Sequence, residues 1–590
     1  MKRLMTMALL SATVFASAAT GFSTAAARQS TAPSGTWLGT WPYNLPPNHT
    51  LNAFNGDNGL PNNLGSLFQS YVELPFAVYN WADGTYSGLL ADKWGFAADN
   101  KSYSISIKAG AKWSDGKPIT SDDVVNTFAI GRILGWSDWN YLSDVKKVDD
   151  QTTSFIFSGD PSPLIERLIL KDYIADSQTY GALAKQALDL VAAGKKSDSA
   201  EWKKLSADIN ALKPDTLIAS GPYTYAIKDV GQASMTLNWQ PNSLYSGSVK
   251  FGAIKIWQGD TPESTPLVLS GEIGHSTDVY PPATIDEIKS KGIRLVTIPR
   301  GYGPAMLFNL AIAPWNIKEV RQAVAYIIKR DQNAFLTAAG AVGTKYMTGL
   351  LDDNVPQMMS KDAIAKLNTY AYNVDAATKL MTTAGFTKNS DGKWVGKDGK
   401  TISAEFKFPA EFADFSAAAQ DAISQMNQFG FDITARAVTP FAQVVTAIKT
   451  SDFSLAIWSW GAQSPFASRH FANPLQRWNT GHLAPNQNGI GFTTKFTYNG
   501  EAVDMDALIN NASASMDPQV RIDRASKIGL IINDLIPFIP LNVEQSVEPV
   551  NETLIAGAPK DGDPVLLNPS GSDEWVISYL LEGKVSPVTK

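Results

Sequence analysis

The sequence predicts an α/β protein of two or three domains. Length is the first observation: 590 residues exceed what one core usually serves, since single cores stop growing near about 250–300 residues. The second is a βαβ-like alternation, with a helix over Phe415 to Phe429, a strand, a helix through Val445 and Ile448, and a strand from Phe453 to Trp458. The third is the stretch from Gly88 to Phe128, which reads as a β-meander running into a helix. With 44% hydrophobic and 18% charged residues, the chain is globular rather than disordered or fibrous.

The chain opens with Lys2-Arg3 and the apolar run LMTMALLSATVFASAA, followed by small residues. That order predicts a Sec-type signal peptide over 1–27, cleaved after Ala27, with Ala18 as the alternative. A retained anchor is the weaker reading, because nothing beyond the run resembles a stop-transfer segment. No later stretch holds 18 uninterrupted apolar residues, so an exported, soluble mature chain is expected. The absence of Cys excludes a thiol nucleophile and a lipid anchor through a cleavage-site cysteine. His49, His275, His470 and His482 share no metal-ligand spacing, so no metal or cofactor is expected. A net charge of -6 with no Lys/Arg-rich face argues against nucleic acid as a partner.

Residues 33–65 are rich in Pro, Gly and Asn, with Trp37, Trp41, Tyr43 and Phe54 spaced through them and no periodicity. In the meander, Tyr103, Ile105 and Ile107 alternate with Ser102, Ser104, Ser106 and Lys108, the period of a half-buried strand. Asp99-Asn100 and the run Ser114 to Pro118 supply the turns. Thr120 or Ser121 caps the helix that follows, with Asp122 and Asp123 in its favourable first turn. Trp136 and Trp139, at i and i+3, are expected on one helical face packed against a core. A strand at Thr153 to Phe157, a helix opening at Pro161-Ser162-Pro163 and a polar helical span from Tyr180 to Leu212 come next. Ser220-Gly221-Pro222 fixes a turn into a strand from Tyr223 to Ile227, and Ser234 to Trp239 and Lys255 to Trp257 continue as strands. His275, close behind the segment Leu267 to Ile273, has no assigned part. From Leu295 the pattern gives a buried strand at Met306 to Asn309 and an amphipathic helix from Ile317 to Ile328. Another helix spans Asn373 to Phe386, with hairpin turns at Asp391-Gly392 and Asp398-Gly399.

Taken in order, these pieces resemble the extracytoplasmic solute-binding proteins of ABC importers, in the peptide, nickel and oligosaccharide-binding family. The resemblance rests on Leu90-Ala91…Trp94, the run from Asp99 through Trp113-Ser114-Asp115-Gly116 to Thr120 and Val124, Ser220-Gly221-Pro222-Tyr223, Val320-Arg321-Gln322-Ala323 and Pro537-Phe538-Ile539-Pro540-Leu541. Asn100 replaces the family's usual Gly in one turn. The resemblance implies a two-lobed periplasmic-binding-protein fold with the ligand cleft between lobes and a small domain inserted in the first. Lobe I is expected over 28–82, 213–298 and 537–590, the inserted domain over 83–212, and lobe II over 299–536. It further implies a periplasmic monomer that is not an enzyme and docks on the transmembrane subunits of an ABC permease. Arg321 invites an anionic ligand, but a structural charge on the helix is the preferred reading.

The ligand must be read from side chains. Peptide-binding relatives follow the strand at Phe453 to Trp460 with an acidic residue that meets the peptide ammonium. Here Gly461, Ala462, Gln463 and Ser464 stand in that region. Sixteen Trp are about twice the usual number, and sugars present flat apolar faces to indole rings while their hydroxyls need neutral partners. The expected ligand contacts are therefore Trp41, Trp81, Trp315, Trp458, Trp460 and Trp478, with Asn52, Asn309, Gln463 and Asn479 as amides. A neutral oligosaccharide is the expected ligand and an oligopeptide the alternative. An exported glycosidase, a third class, would need a carboxylate pair across such a cleft. No sequence pattern singles out such a pair, and no G-x-S-x-G nucleophile motif is present.

Overall fold

The computed structural model describes residues 32–41, 45–479 and 488–588. The signal peptide expected over 1–27, Tyr43 and His482 lie outside the described residues. Among the described residues no helix is long and apolar enough to cross a membrane.

The first lobe is built on a mixed sheet. Strand Thr36–Trp41 runs parallel to Ala253–Gln258, which pairs antiparallel with Ser234–Trp239 and, through it, with Tyr223–Thr224. On the other edge the backbone of His275 bridges Gly39 to Val550, and so joins the antiparallel pair Arg294–Pro299 and Gln545–Val550. The strand expected to reach Ile227 is only two residues long. Asp229 accepts a 2.9 Å hydrogen bond from Ala226 N and turns the chain into a short 3-10 helix, Ile227–Asp229.

The inserted unit is an antiparallel sheet in the order Ala91–Phe96, Ser102–Ile107, Thr152–Phe157, Leu142–Lys147. The alternation in Ser102–Ile107 places Tyr103, Ile105 and Ile107 in the core. Helix Ser121–Ile133 follows, tied down by Asp123. That carboxylate accepts from Thr120 N at 2.9 Å, Trp113 Nε1 at 3.2 Å and Ser177 N at 2.9 Å. Trp136 and Trp139 are not on one helical face, because the helix stops at Ile133 and Gly135 turns the chain at φ +73°. Both still pack on neighbours, Trp136 against Phe128 and against Phe54 of the first lobe, and Trp139 with its Nε1 donating to Phe128 O.

The second lobe holds a five-stranded sheet in the order Asp432–Val438, Ser403–Pro409, Leu455–Gly461, Tyr302–Phe308, Phe538–Pro540. The first three strands are parallel and the others antiparallel, with helices Lys318–Ile327, Ala413–Phe429 and Pro518–Leu535 against them. Arg321 is structural, though not as a salt bridge. Its buried guanidinium donates to Trp315 O at 2.8 Å, Leu535 O at 2.7 Å and Ile536 O at 2.8 Å, supplying donors to the open carbonyl end of Pro518–Leu535. The chain crosses between lobes twice, from Pro299 to Tyr302 and from Pro540 to Gln545. The two crossings lie side by side because the strands on either side of them are paired.

Candidate functional site

A buried polar cluster that ties the inserted unit to the first lobe, with one bond to the second, is built on helix Pro163–Lys171. Ser162 caps it, accepting from Ile165 N, and proline occupies its first turn, where the missing N–H costs nothing. Arg167 and Lys171, one turn apart, face the same way, and both reach Asp573. Arg167 Nη2 lies 2.7 Å from Asp573 Oδ2, and Lys171 Nζ 2.7 Å from Oδ1. Tyr79 N and Trp81 Nε1 also donate to this carboxylate, at 3.1 and 3.2 Å. Burial opposes its ionisation, but Lys171 and Arg167 override that and hold Asp573 well below the usual carboxylate range. The Arg167 guanidinium lies over the rings of Tyr79 and Trp81, with centroids at 4.9 and 5.6 Å.

The same Arg167 Nη2 donates across to the second lobe, to Gln463 O at 3.3 Å. Its Nη1 is buried with no hydrogen-bond partner in the protein. Gln463 Nε2 answers in the other direction, to Arg300 O at 3.0 Å and Ser570 Oγ at 3.3 Å. Two glycines make room for that side chain. A Cβ on Gly301 would lie 3.0 Å from Gln463 Cγ, and one on Gly571 3.0 Å from its Oε1. At the crossing itself Arg300 Nη1 sits 3.1 Å from Asp414 and 2.5 Å from Glu544. Burial, with Asp414 alongside, raises Glu544 to about 8 even beside that guanidinium.

A second contact joins the inserted unit to the second lobe. Tyr141 Oη donates to Asn510 O at 2.9 Å. Near it, burial raises Asp138 to about 6, against the pull of Arg469 from helix Ala467–Ala472. Two residues past Gln463 the chain lines a groove of about 190 Å³ with Pro465, Phe466, Met358 and Arg521.

The sequence model of the bacterial extracellular solute-binding proteins, family 5 (middle region), matches residues 85–481, about two thirds of the chain. The chain belongs to this family. Family 5 proteins are extracytoplasmic binding proteins of transport systems, not enzymes. Among curated relatives, a "probable ABC transporter-binding protein" of Deinococcus radiodurans is 26% identical over 63% of this chain, and the match spans 65% of that relative's length. The dipeptide-binding protein of Escherichia coli is 22% identical over 78% of this chain and 82% of its own. Among solved structures, a periplasmic oligopeptide-binding protein of Thermotoga maritima with mannohexaose bound superposes with a TM-score of 0.74 at 18% identity, over 95% of this chain and 99% of that one. The oligopeptide-binding protein of Bacillus subtilis in complex with a nonapeptide gives 0.70 at 17% identity, over 95% and 100%. These structures confirm the two-lobed family 5 fold.

Of the ten residues expected to touch ligand in this family 5 chain, the structure brings Trp81 and Gln463 to the junction. Trp41 is half-buried at the end of its strand, its ring edge-on to Phe68. The others belong elsewhere. Trp315 and Trp460 are 1% and 0% exposed; Trp315 stacks on Phe308, and Trp460 Nε1 donates to Asn542 O at 3.0 Å. Trp458 and Trp478 pack on each other, and Trp458 also packs on Phe412, Phe415 and Phe441, inside the second lobe. The three asparagines bond the backbone: Asn52 to Ile209 O and Leu212 O, Asn309 to Ser451 O and Phe453 O, and Asn479 to Phe492 O and N. All seven side chains are buried, at 9% exposure or less. Sequence reasoning missed Arg167, Lys171, Asp573 and Arg300. Arg167 and Lys171 could have been flagged as one helical face, but their partner lies about 400 residues away.

Proposed function

We propose that the protein is the substrate-binding receptor of an ABC importer, which closes on a neutral oligosaccharide at the junction of Arg167, Trp81 and Gln463 and presents it to the permease's transmembrane subunits. The observation that carries the ligand class is charge compensation. Arg167 and Lys171 share Asp573, and Arg300 meets both Asp414 and Glu544, so three cations face three carboxyl groups in all, while neutral Gln463 reaches across from the second lobe. A charged ligand end would meet no free opposite charge in this set, and an unpaired buried charge is costly. A hydroxyl oxygen suits the unpartnered Arg167 Nη1, and a sugar face suits the partly exposed Trp81 ring. Four of the six proposed Trp contacts, Trp315, Trp458, Trp460 and Trp478, are buried, so the sugar reading rests on Trp81 and the junction rather than on the Trp excess. The mannohexaose complex of the Thermotoga maritima neighbour agrees with an oligosaccharide. The nonapeptide complex and the dipeptide-binding relative favour a peptide as the second reading. We further infer a monomer in the periplasm, released by cleavage after Ala27; light scattering and N-terminal sequencing of the exported protein test these points.

The deciding experiment is thermal unfolding of the mature protein against neutral manno-, xylo- and cello-oligosaccharides and against mixed peptides. A ligand bound only by the native state adds about 2.7 kcal/mol at a hundredfold excess over Kd. A shift with sugars, lost in Trp81→Ala, supports the proposal. A shift with peptides alone overturns the ligand class, and no shift with either panel overturns it as well.

A further inference from the structure

One residue past Asp573 the first lobe holds a second polar centre that the transport reading does not use. His275, Glu548 and Glu574 bring one ring nitrogen and two carboxylate oxygens within 4.8 Å of one another. All three are buried, at 1%, 0% and 1% exposure. The fold delivers each from a different element. His275 sits where the backbone bridge ties Gly39 to Val550, Glu548 lies within strand Gln545–Val550, and Glu574 caps helix Trp575–Leu581.

The donor atoms are held in place from behind. Glu548 Oε1 accepts from Ser546 Oγ at 2.9 Å and its Oε2 from Trp575 Nε1 at 3.1 Å. Glu574 Oε2 accepts from Gly571 N at 2.8 Å. The rings of Trp37 and Trp575 pack on the imidazole, with centroids at 5.7 and 5.4 Å. This is the outer support that metal-ligating carboxylates and imidazoles carry. His275 Nε2 is hydrogen-bonded to Glu548 Oε2 at 2.9 Å and stands 3.8 Å from Glu574 Oε1. Donors about 2.0–2.2 Å from a tetrahedral ion sit roughly 3.3–3.5 Å apart, a separation these two distances bracket.

Two atoms are left over. Glu574 Oε1 and the Tyr71 hydroxyl are buried with no hydrogen-bond partner in the protein, and Tyr71 lies within the electrostatic field of Glu574. No Lys or Arg forms an ion pair with either glutamate among the described residues. Two ionised carboxylates in such surroundings would be strongly destabilising. They can be neutralised by protons or by one divalent cation. The cation would engage all three donors at once, including the orphaned Glu574 oxygen.

We propose that His275, Glu548 and Glu574 form a structural site for one divalent cation of the zinc or manganese class, with the Tyr71 hydroxyl close by. One imidazole and two carboxylates suit these ions, and neither thiolate nor an all-oxygen cage is present. The ion would pin helix Trp575–Leu581 and strand Gln545–Val550 to the sheet. That strand receives the return crossing from the second lobe, so the site would brace the fixed side of the hinge.

The test uses the mature chain, unfolded in urea with a chelator and refolded with Zn²⁺, Mn²⁺, Mg²⁺ or no metal, then freed of loose metal. The expected result is about one Zn²⁺ or Mn²⁺ retained per chain and a higher melting temperature than the metal-free protein, with Mg²⁺ ineffective. Glu574→Gln, which keeps the volume and removes the charge, should lower affinity by 100-fold or more at unchanged far-UV circular dichroism. Wild-type protein that retains no metal and melts identically in all four conditions overturns the proposal and leaves a proton-filled cluster. Retention undiminished in both Glu574→Gln and His275→Gln also overturns it, by placing the metal elsewhere. Neither readout involves the transported ligand.

Discussion

Glu73 caps the end of helix Leu60–Val72 at 3% exposure, with its Oε2 accepting from Gln69 Nε2 at 2.7 Å. Burial raises this carboxyl to about 8, with Gln69 opposing the shift and Asp176 adding to it. A carboxyl raised on folding contributes its stability below its unfolded value and loses it as pH climbs through the folded one. The loss therefore runs from about pH 4.5 to pH 8. Glu73→Gln keeps the shape and removes the titration. Its melting temperature should match wild type near pH 4 and exceed it near pH 9 by several degrees, read in parallel thermal melts. No gain at the higher pH would mean that the carboxylate has a cation nearby. Arg321 poses the opposite case, a charge kept for its geometry. Burial lowers it to about 10, yet its fork serves three carbonyls. Arg321→Met should cost roughly 2–4 kcal/mol by urea unfolding, and Arg321→Lys should recover little, because an ammonium cannot reproduce the planar fork.

Among elements, the inserted sheet and its helix form the part most readily derived from local pattern. Tyr103, Ile105 and Ile107 alternate into the core, and Asp123 stands in the first helical turn where the dipole favours it. Asp123 does more than cap, because it also holds Trp113 and the start of helix Ser177–Ala192. Asp123→Ala should therefore cost about 2 kcal/mol rather than the roughly 1 kcal/mol of an ordinary cap. Hydrogen exchange should show the loss in both helices; loss in Ser121–Ile133 alone would reduce Asp123 to a cap. The candidate site was much less legible. Strand Leu455–Gly461 lies within a covered sheet with both faces buried, so Trp458 and Trp460 carry no alternation that separates cleft from core. Trp315 follows a strand without periodicity, and loop position alone suggested a ligand where the ring in fact packs on Phe308. Gln463 was legible because a neutral amide stood where an acid was expected. Asp573 was not, since pairing it with Arg167 requires the whole first lobe to be assembled.

At the scale of the molecule, two adjacent crossings and a few polar contacts join the lobes. Arg167 to Gln463 and Gln463 to Ser570 lie next to the crossings, where a given rotation moves atoms little. Tyr141 to Asn510 joins the inserted domain to helix Met505–Asn511 of the second lobe, so any separation of these two elements must break it. The hydrogen bond should add about 0.5–1.5 kcal/mol to closure, a shift of roughly two- to tenfold between closed and open forms. Tyr141→Phe removes the hydroxyl and leaves the ring, so folding stability should hold while the ligand-free protein opens. Small-angle scattering should then give a larger radius of gyration for the variant without ligand, and the two proteins should converge once ligand is saturating. Whatever ligand the thermal screen identifies should bind the variant more weakly by up to that factor, because a ligand held only by the closed form is penalised in proportion to the closed fraction that remains. Equal radii and equal affinities would show that this bond forms without influencing closure, leaving the contacts around Gln463 to set it.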